Sequence, residues 1–371
     1  MDDGAREFAL CRPCLIRQGA GRTGLGLAGY SECFVCGGLF GRLDVVSDSV
    51  ASSLKGYEFR TFSIGLVLPP GVQEREDTLR SDLRIRGGET VKSELASSLA
   101  RLVAKEMGGR RRVDRFRPDV TALVDVGSGS VEVTSRPLFL YARYTKPRGV
   151  AQRVLFCEEC QGRGCDKCHG SGLSSSPSVE GLLSAKLRAE LGSQKFKFTW
   201  FGSEDTESTV FPPGRPVVVE AKNPRRRLPP RALRLRSGRG GVSVSGIRVV
   251  AKGFEHPAFT FMTRVVIHAE RRVPAVEVSR LQKAMRNSVV QYRNNKGKLV
   301  DKRIYFVRAR ARGKRITAEI KLDGGLPVKR LVSGEAVSPS FAEALQMPLR
   351  CERFDIVRVW TRRAQSPMKQ A

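Results

Sequence analysis

Eight of the nine cysteines fall into four C-x-x-C pairs, and this spacing constrains the fold more than any other feature. Each C-x-x-C turn presents two thiolates to one ion, and two such turns complete a tetrahedral zinc site. Cys11 and Cys14 are followed, after eighteen residues, by Cys33 and Cys36, a zinc-ribbon spacing. A redox pair is the alternative, but no βαβ pattern surrounds it. Cys157, Cys160, Cys165 and Cys168 form a tighter set, with four residues between the pairs and glycines that allow the turns of a knuckle. Structural zinc is expected at both sets rather than disulfides, because no basic-then-apolar secretion signal opens the chain. The same absence predicts a cytoplasmic location. His169 reads as a solvated loop residue, since four thiolates already suffice. Cys351 stands alone in a strand-like run and reads as a core residue.

The formal net charge is +29. Such an excess implies a polyanionic partner, because each phosphate neutralised by Lys or Arg releases counterions. The charge is spread along the chain rather than on one amphipathic helix, which favours nucleic acid over a membrane surface. No run of about 18 apolar residues exists, so no membrane span is expected. With 371 residues, 40% of them hydrophobic, the chain can bury two or three cores.

After the first cysteine region, taken as 1–50, residues 51–150 read as a small basic α/β domain. Phe59, Phe62, Ile64, Leu66 and Leu68 suggest a strand, broken by Pro69-Pro70-Gly71. Val91, Leu95, Leu99, Leu102, Val103 and Met107 recur at helical spacing, and Gly108-Gly109 ends the helix. Val120–Val126 and Val131–Thr134 form a hairpin, and Leu138–Tyr144 a further strand. The second cysteine cluster and a Ser-rich linker occupy 151–175. Residues 176–371 form the largest domain. It opens on an amphipathic helix through Val179, Leu183, Leu187 and Leu191, capped by Ser178. It continues as repeated strands: Val242–Val250, Phe259–His268, Ile304–Arg308 and Ile316–Leu322. A basic loop of Arg231, Arg234, Arg236 and Arg239 is open to phosphate. The fold class is α+β, with a mixed antiparallel C-terminal sheet.

The stretch from Lys195 to Arg227 reads as strand, loop, strand. Phe196, Phe198 and Trp200 alternate with polar residues, and Val217–Val219 is a β-branched run. Between them Glu204, Asp205 and Glu207 stand in one loop, and Lys222, Arg225, Arg226 and Arg227 follow. The residues alone allow two readings. The loop is a solvated one whose acids pair with nearby arginines, or one carboxylate is catalytic and faces an RNA backbone held by those arginines.

These residues resemble the archaeal–eukaryotic tRNA pseudouridine synthases that act on the T-loop. That family carries a G-R-E-D-x-D-V-R loop, then G-R-P-F and K-N-P-R-R-R. Here Gly202, Glu204 and Asp205 match the loop, Gly214, Arg215 and Pro216 the second piece, and Lys222 to Arg227 the third. Ser203, Glu207 and Thr209 depart from it. The family's G-x-Y-I-K-E motif is matched by Gly325, Lys329 and the downstream Ser333-Gly334-Glu335, with Pro327 in place of the tyrosine and Arg330 in place of the acid. The resemblance implies an N-terminal zinc module, a THUMP-like RNA-binding domain and a C-terminal sheet of pseudouridine synthase type. It implies Asp205 as the nucleophile, paired with Lys329. Arg215, Lys222, Arg225, Arg226, Val328 and a strand residue aligned at His268 would bind substrate, with Tyr292 and Tyr305 further on. The expected reaction converts uridine to pseudouridine at T-loop positions 54 and 55, with tRNA as partner, no cofactor for the chemistry and no protein partner evident. A second reading, motivated by Ser203, Thr209 and Pro327, is a tRNA-binding protein or chaperone whose active site has weakened. A third rests on the C-x-x-C-x-G-x-G rhythm of Cys157–Gly172, which is similar to the zinc module of a heat-shock co-chaperone.

Overall fold

The computed structural model describes residues 7–238, 240–254, 258–294 and 297–361, so Arg239 lies outside the described residues, and of the other arginines read as a basic loop, Arg234 and Arg236 stand instead on a strand, Leu233–Ser237, paired with Ser243 and Gly241. The chain divides into two compact units, Met1–Pro137 with Lys222–Arg227, and Leu138–Ala221 with Leu228–Ala371.

The first unit begins with strand β1 (Phe8–Leu10), helix α1 (Arg12–Gln18) and strand β2 (Leu25–Leu27), which pairs parallel to β1. Helix α2 (Leu43–Leu54), strand β3 (Thr61–Val67), helices α3 (Val72–Asp82) and α4 (Val91–Glu106), and strands β4 (Arg112–Val113), β5 (Val120–Asp125) and β6 (Val131–Ser135) follow. The last four strands named form a sheet in the order β4-β3-β5-β6, with β3 parallel to both its neighbours. Helix α4 forms where the helical spacing predicts it. Val91, Leu95, Leu99 and Val103 are buried on one face, and Thr90 caps the N-terminus by accepting from the Ser93 amide at 3.2 Å. The unit has one continuous hydrophobic core, which includes Cys11, Cys14, Cys33 and Cys36 together with Leu54, Phe62, Leu95 and Val124. The cysteine region therefore shares its core with the α/β region.

The second unit contains strand β7 (Leu138–Lys146), the 157–172 knuckle, helix α5 (Val179–Leu191), and strands β8 (Lys195–Trp200), β9 (Val210–Lys222), β10 (Leu233–Ser237), β11 (Gly240–Val250) and β12 (Phe259–Ala269). Helix α6 (Ala275–Met285), strands β13 (Val289–Arg293), β14 (Leu299–Arg312) and β15 (Arg315–Asp323), helix α7 (Val328–Ser333), strand β16 (Val337–Ser338), helix α8 (Phe341–Leu345) and strand β17 (Leu349–Thr361) complete it. The strands join in one mixed sheet, in the order β10-β11-β7-β9-β17-β12-β15-β14-β13-β16, with β8 on β9. Ser178 caps α5 as expected, its Oγ accepting from the Gly181 amide at 3.0 Å.

One strand sits elsewhere than its place in the chain suggests. Residues Leu138–Lys146, read with the small domain, are β7 of the large sheet, antiparallel to β9 and β11. Leu138, Leu140, Tyr141, Ala142 and Tyr144 are all buried, as a strand covered on both faces requires. Strands β9 and β17 are parallel and pair only at Val210 and Ile356 among the described residues. The acidic loop enters β9 at that junction.

Candidate active site

Burial separates the three acids of the loop. Glu204 is buried, Asp205 half-buried and Glu207 exposed. Glu204 is fully engaged below the surface. Its Oε1 accepts from Tyr144 Oη at 2.5 Å, and its Oε2 accepts from Gln152 Nε2 at 3.0 Å and Arg215 Nη1 at 2.8 Å. Full burial beside the Glu204 carboxylate pushes the Tyr144 phenol well above its ordinary pKa, so it stays protonated and donates.

The loop backbone is tied down from several sides. Lys146 Nζ donates to the Asp205 carbonyl at 2.9 Å and to that of Ser208. Burial pulls the Lys146 ammonium below its usual range, against the pull of Glu204 and Asp205. The Thr209 amide donates to Asp355 Oδ1 at 2.9 Å, and Arg148 Nη2 stands 3.3 Å from Asp355 Oδ2. Gly202 has φ +80°, and a Cβ there would lie 2.2 Å from Arg215 Nη2. Only glycine fits both the backbone and the space. The loop is therefore a platform whose one outward carboxylate towards the cavity is Asp205.

Asp205 Oδ2 lies 2.8 Å from Lys329 Nζ, and both side chains are about half-exposed. Lys329 sits in the first turn of α7, which Leu331 and Val332 anchor in the core. The pair lines a cavity of about 580 Å³, with Val328, Tyr292, Phe261 and Phe354 among its walls. Tyr292 is mostly buried, and its hydroxyl donates to the Gly325 carbonyl at 2.7 Å. Burial raises its pKa, with Arg330 opposing. An ion pair between this tied-down loop and the first turn of α7, facing an aromatic and apolar wall, can hold a flat base against a carboxylate.

The other expected substrate residues stand differently. Arg215 lines the cavity, but its guanidinium is held by Glu204 and by the Phe201 carbonyl at 2.7 Å, so it positions the loop. His268 does not line the cavity. It sits on β12 opposite Arg350 and Arg315, with Nδ1 3.7 Å from Glu352 Oε1. Tyr292 on β13 does line the cavity, as do Phe261 on β12 and Phe354 on β17. Lys222, Arg225 and Arg226 belong to the other compact unit. There Arg225 lies over the Tyr57 ring at 5.9 Å, and Arg227 donates to Ser135 Oγ at 3.0 Å and to the Arg136 carbonyl at 2.9 Å. The sequence reading missed Tyr144, Lys146 and Gln152. Tyr144 and Lys146 stand on β7 and Gln152 just beyond it, and no motif in the sequence marks them.

Both cysteine sets close into four-sulfur groups whose atoms all lie within 4.8 Å of one another. Cys11 and Cys36 Sγ are 3.6 Å apart, and the second set shows 3.7 and 3.8 Å. A tetrahedron with Zn–S of about 2.3 Å has edges of about 3.8 Å, so both sets fit one ion. At the first, Arg17 Nη2 donates to Cys14 Sγ at 3.6 Å, and Arg17 is itself paired with buried Glu76. At the second, the Gly164 and Gly172 amides donate at 3.2 Å to Cys160 and Cys168 Sγ. No helix among the described residues is long and apolar enough to cross a membrane.

Residues 46–125 match a family described as the Pus10 THUMP domain, archaeal. The chain is 31% identical over 328 residues to tRNA pseudouridine synthase Pus10 of Nitrosopumilus maritimus, covering 87% of this chain and 84% of that protein. It is 31% identical over 382 residues to the protein of the same name in Cenarchaeum symbiosum, covering 98% and 92%. The Archaeoglobus fulgidus protein of that name is 26% identical, covering 94% and 99%.

Proposed function

The chain belongs to the archaeal Pus10 family of tRNA pseudouridine synthases, and from that premise we propose that it isomerises uridine in the T-loop of tRNA, at positions 54 and 55, with Asp205 as nucleophile. The observation that carries this reading is the 2.8 Å pair of Asp205 and Lys329 in a base-sized cavity. The target nucleotide leaves its stack and enters that cavity, at a cost that flexible loops keep low. Asp205 attacks it covalently, and the glycosidic C–N bond breaks. The uracil rotates and rejoins through carbon, the bond to Asp205 breaks, and the hydrogen on that carbon leaves as a proton while the nitrogen released from the sugar takes one up. Substrate and product are isomers, so no co-reactant is consumed.

Lys329 holds the Asp205 carboxylate towards the cavity. Tyr292 and Val328 wall the base, and Tyr292 takes the place first aligned to His268. Arg215 acts through Glu204 by fixing the loop. On this reading the first unit, with its four-cysteine set and THUMP match, grips RNA by shape and phosphate, and the second unit is catalytic. Zinc is the proposed ion in both four-cysteine sites, where it would lock local structure, and the protein works in the cytoplasm. The intact Asp205–Lys329 pair favours turnover over a binding-only protein, despite Ser203, Thr209 and Pro327.

The test is to incubate the purified protein with an unmodified tRNA transcript and map pseudouridine at each nucleotide. T-loop pseudouridine that disappears with Asp205→Ala is the expected result. Tight tRNA binding without pseudouridine, by the unsubstituted protein, would overturn the catalytic reading.

A further inference from the structure

A second cavity, of about 550 Å³, opens beside the first. The two share Gly202 and Gly325 in their walls. A Cβ on Gly325 would lie 3.7 Å from Tyr292 Oη and 3.9 Å from Lys302 Nζ, so this turn divides the base cavity from its neighbour. The neighbour is lined by Phe259, Tyr305 and Trp360, with Lys302 beside them. Lys321 Nζ stands 4.8 Å from the Trp360 ring and 5.8 Å from the Tyr305 ring, and Arg358 5.5 Å from Trp360. The acid in this cavity, Asp323, is engaged. Its oxygens accept from Tyr305 Oη and from the Arg303 amide, each at 2.9 Å.

Aromatic rings interleaved with lysine and arginine are the chemistry that holds an unstacked nucleotide, the ring taking the base and the cation the phosphate. A uridine drawn out of its stack also strips one stacking partner from the nucleotide beside it. We propose that the second cavity receives the base of the nucleotide adjacent to the target uridine, with Trp360 and Tyr305 as the stacking residues. The inference rests on the proposed function and deepens it, because the enzyme then reads two neighbouring bases rather than one.

Trp200 and Trp360 are the two tryptophans of the chain, so Trp200→Phe leaves Trp360 as the sole reporter. In a Trp200→Phe/Asp205→Ala background, unmodified tRNA should quench Trp360 fluorescence without any covalent step. A tRNA abasic at one neighbour of the target uridine should lose that quench. In the active protein, Trp360→Ala should raise KM roughly tenfold, the scale of one base–aromatic stack, with kcat less affected. It should add no further penalty on the abasic tRNA. Quenching indifferent to abasic sites on both sides, or penalties that simply add, would overturn the inference. A protein that forms no pseudouridine would sink the proposed function instead, and the fluorescence arm would still decide the subsite.

Discussion

Cys11, Cys14, Cys33 and Cys36 lie in a hydrophobic core that continues through Phe8, Leu10, Val35 and Leu54 to Leu95 and Leu99. Among the described residues, Cys157, Cys160, Cys165 and Cys168 form a small hydrophobic cluster of their own, and the nearby Leu155, Phe156 and Leu173 are exposed. The ligand sets are chemically alike, but an ion would do different work in each. At the first it would add to burial that already favours folding. At the second it would take the place of a core, since a segment this short cannot bury enough apolar surface to order itself. The turns around the second set are correspondingly tight: a Cβ on Gly172 would stand 2.4 Å from the Gly162 carbonyl oxygen.

Chelation should open the widest gap between the two. After metal removal, amide exchange across 157–172 should reach unfolded-chain rates, while α4 keeps its protection. Equal loss of protection in both would break the comparison. A smaller effect is expected from Glu76→Gln. Glu76 is buried and accepts from Gln18 Nε2 and the Val91 amide at 2.9 Å, besides pairing with Arg17 and Arg80. The substitution leaves buried Arg17 without its counter-charge and should lower the first unit's stability by about 3 kcal/mol in a denaturant melt. A loss below ~1 kcal/mol would show that the ion, not the core and its polar links, sustains the first site. The smallest effect belongs to the ion pair on the knuckle. Lys167 and Glu159 are 2.7 Å apart and both exposed, so Lys167→Ala should leave Tm unchanged within error. A measurable drop would mean that surface charge contributes to ordering the second site.

The sequence carried the features that depend on spacing. Both cysteine sets and the amphipathic helices α4 and α5 follow from residue types at fixed intervals, whereas the meeting of Asp205 with Lys329 was implied by the family resemblance alone. What it hid depends on long-range pairing. The run Leu138–Lys146 has the pattern of a buried strand in any sheet, and only its register with β9 and β11 assigns it to the large one. The same limit explains His268 and Tyr292. Both lie on strands, and which of them meets the cavity is set by where β12 and β13 fall across the sheet. Arg215 was legible as a functional arginine. That its guanidinium grips Glu204 depends on how deeply the loop is buried, which spacing does not encode.

Strand β17 lies in the interior of the sheet between β9 and β12, although it is the last strand among the described residues. Through it the Thr209 amide meets Asp355, 146 positions later. During synthesis the acidic loop therefore emerges long before the strand that fastens it. The half-made chain holds a cavity wall with a gap where its central strand belongs, and such distant pairing makes folding slow. Isomerisation therefore waits for β17, and a chain cut short before it would lack the strand that fastens the acidic loop.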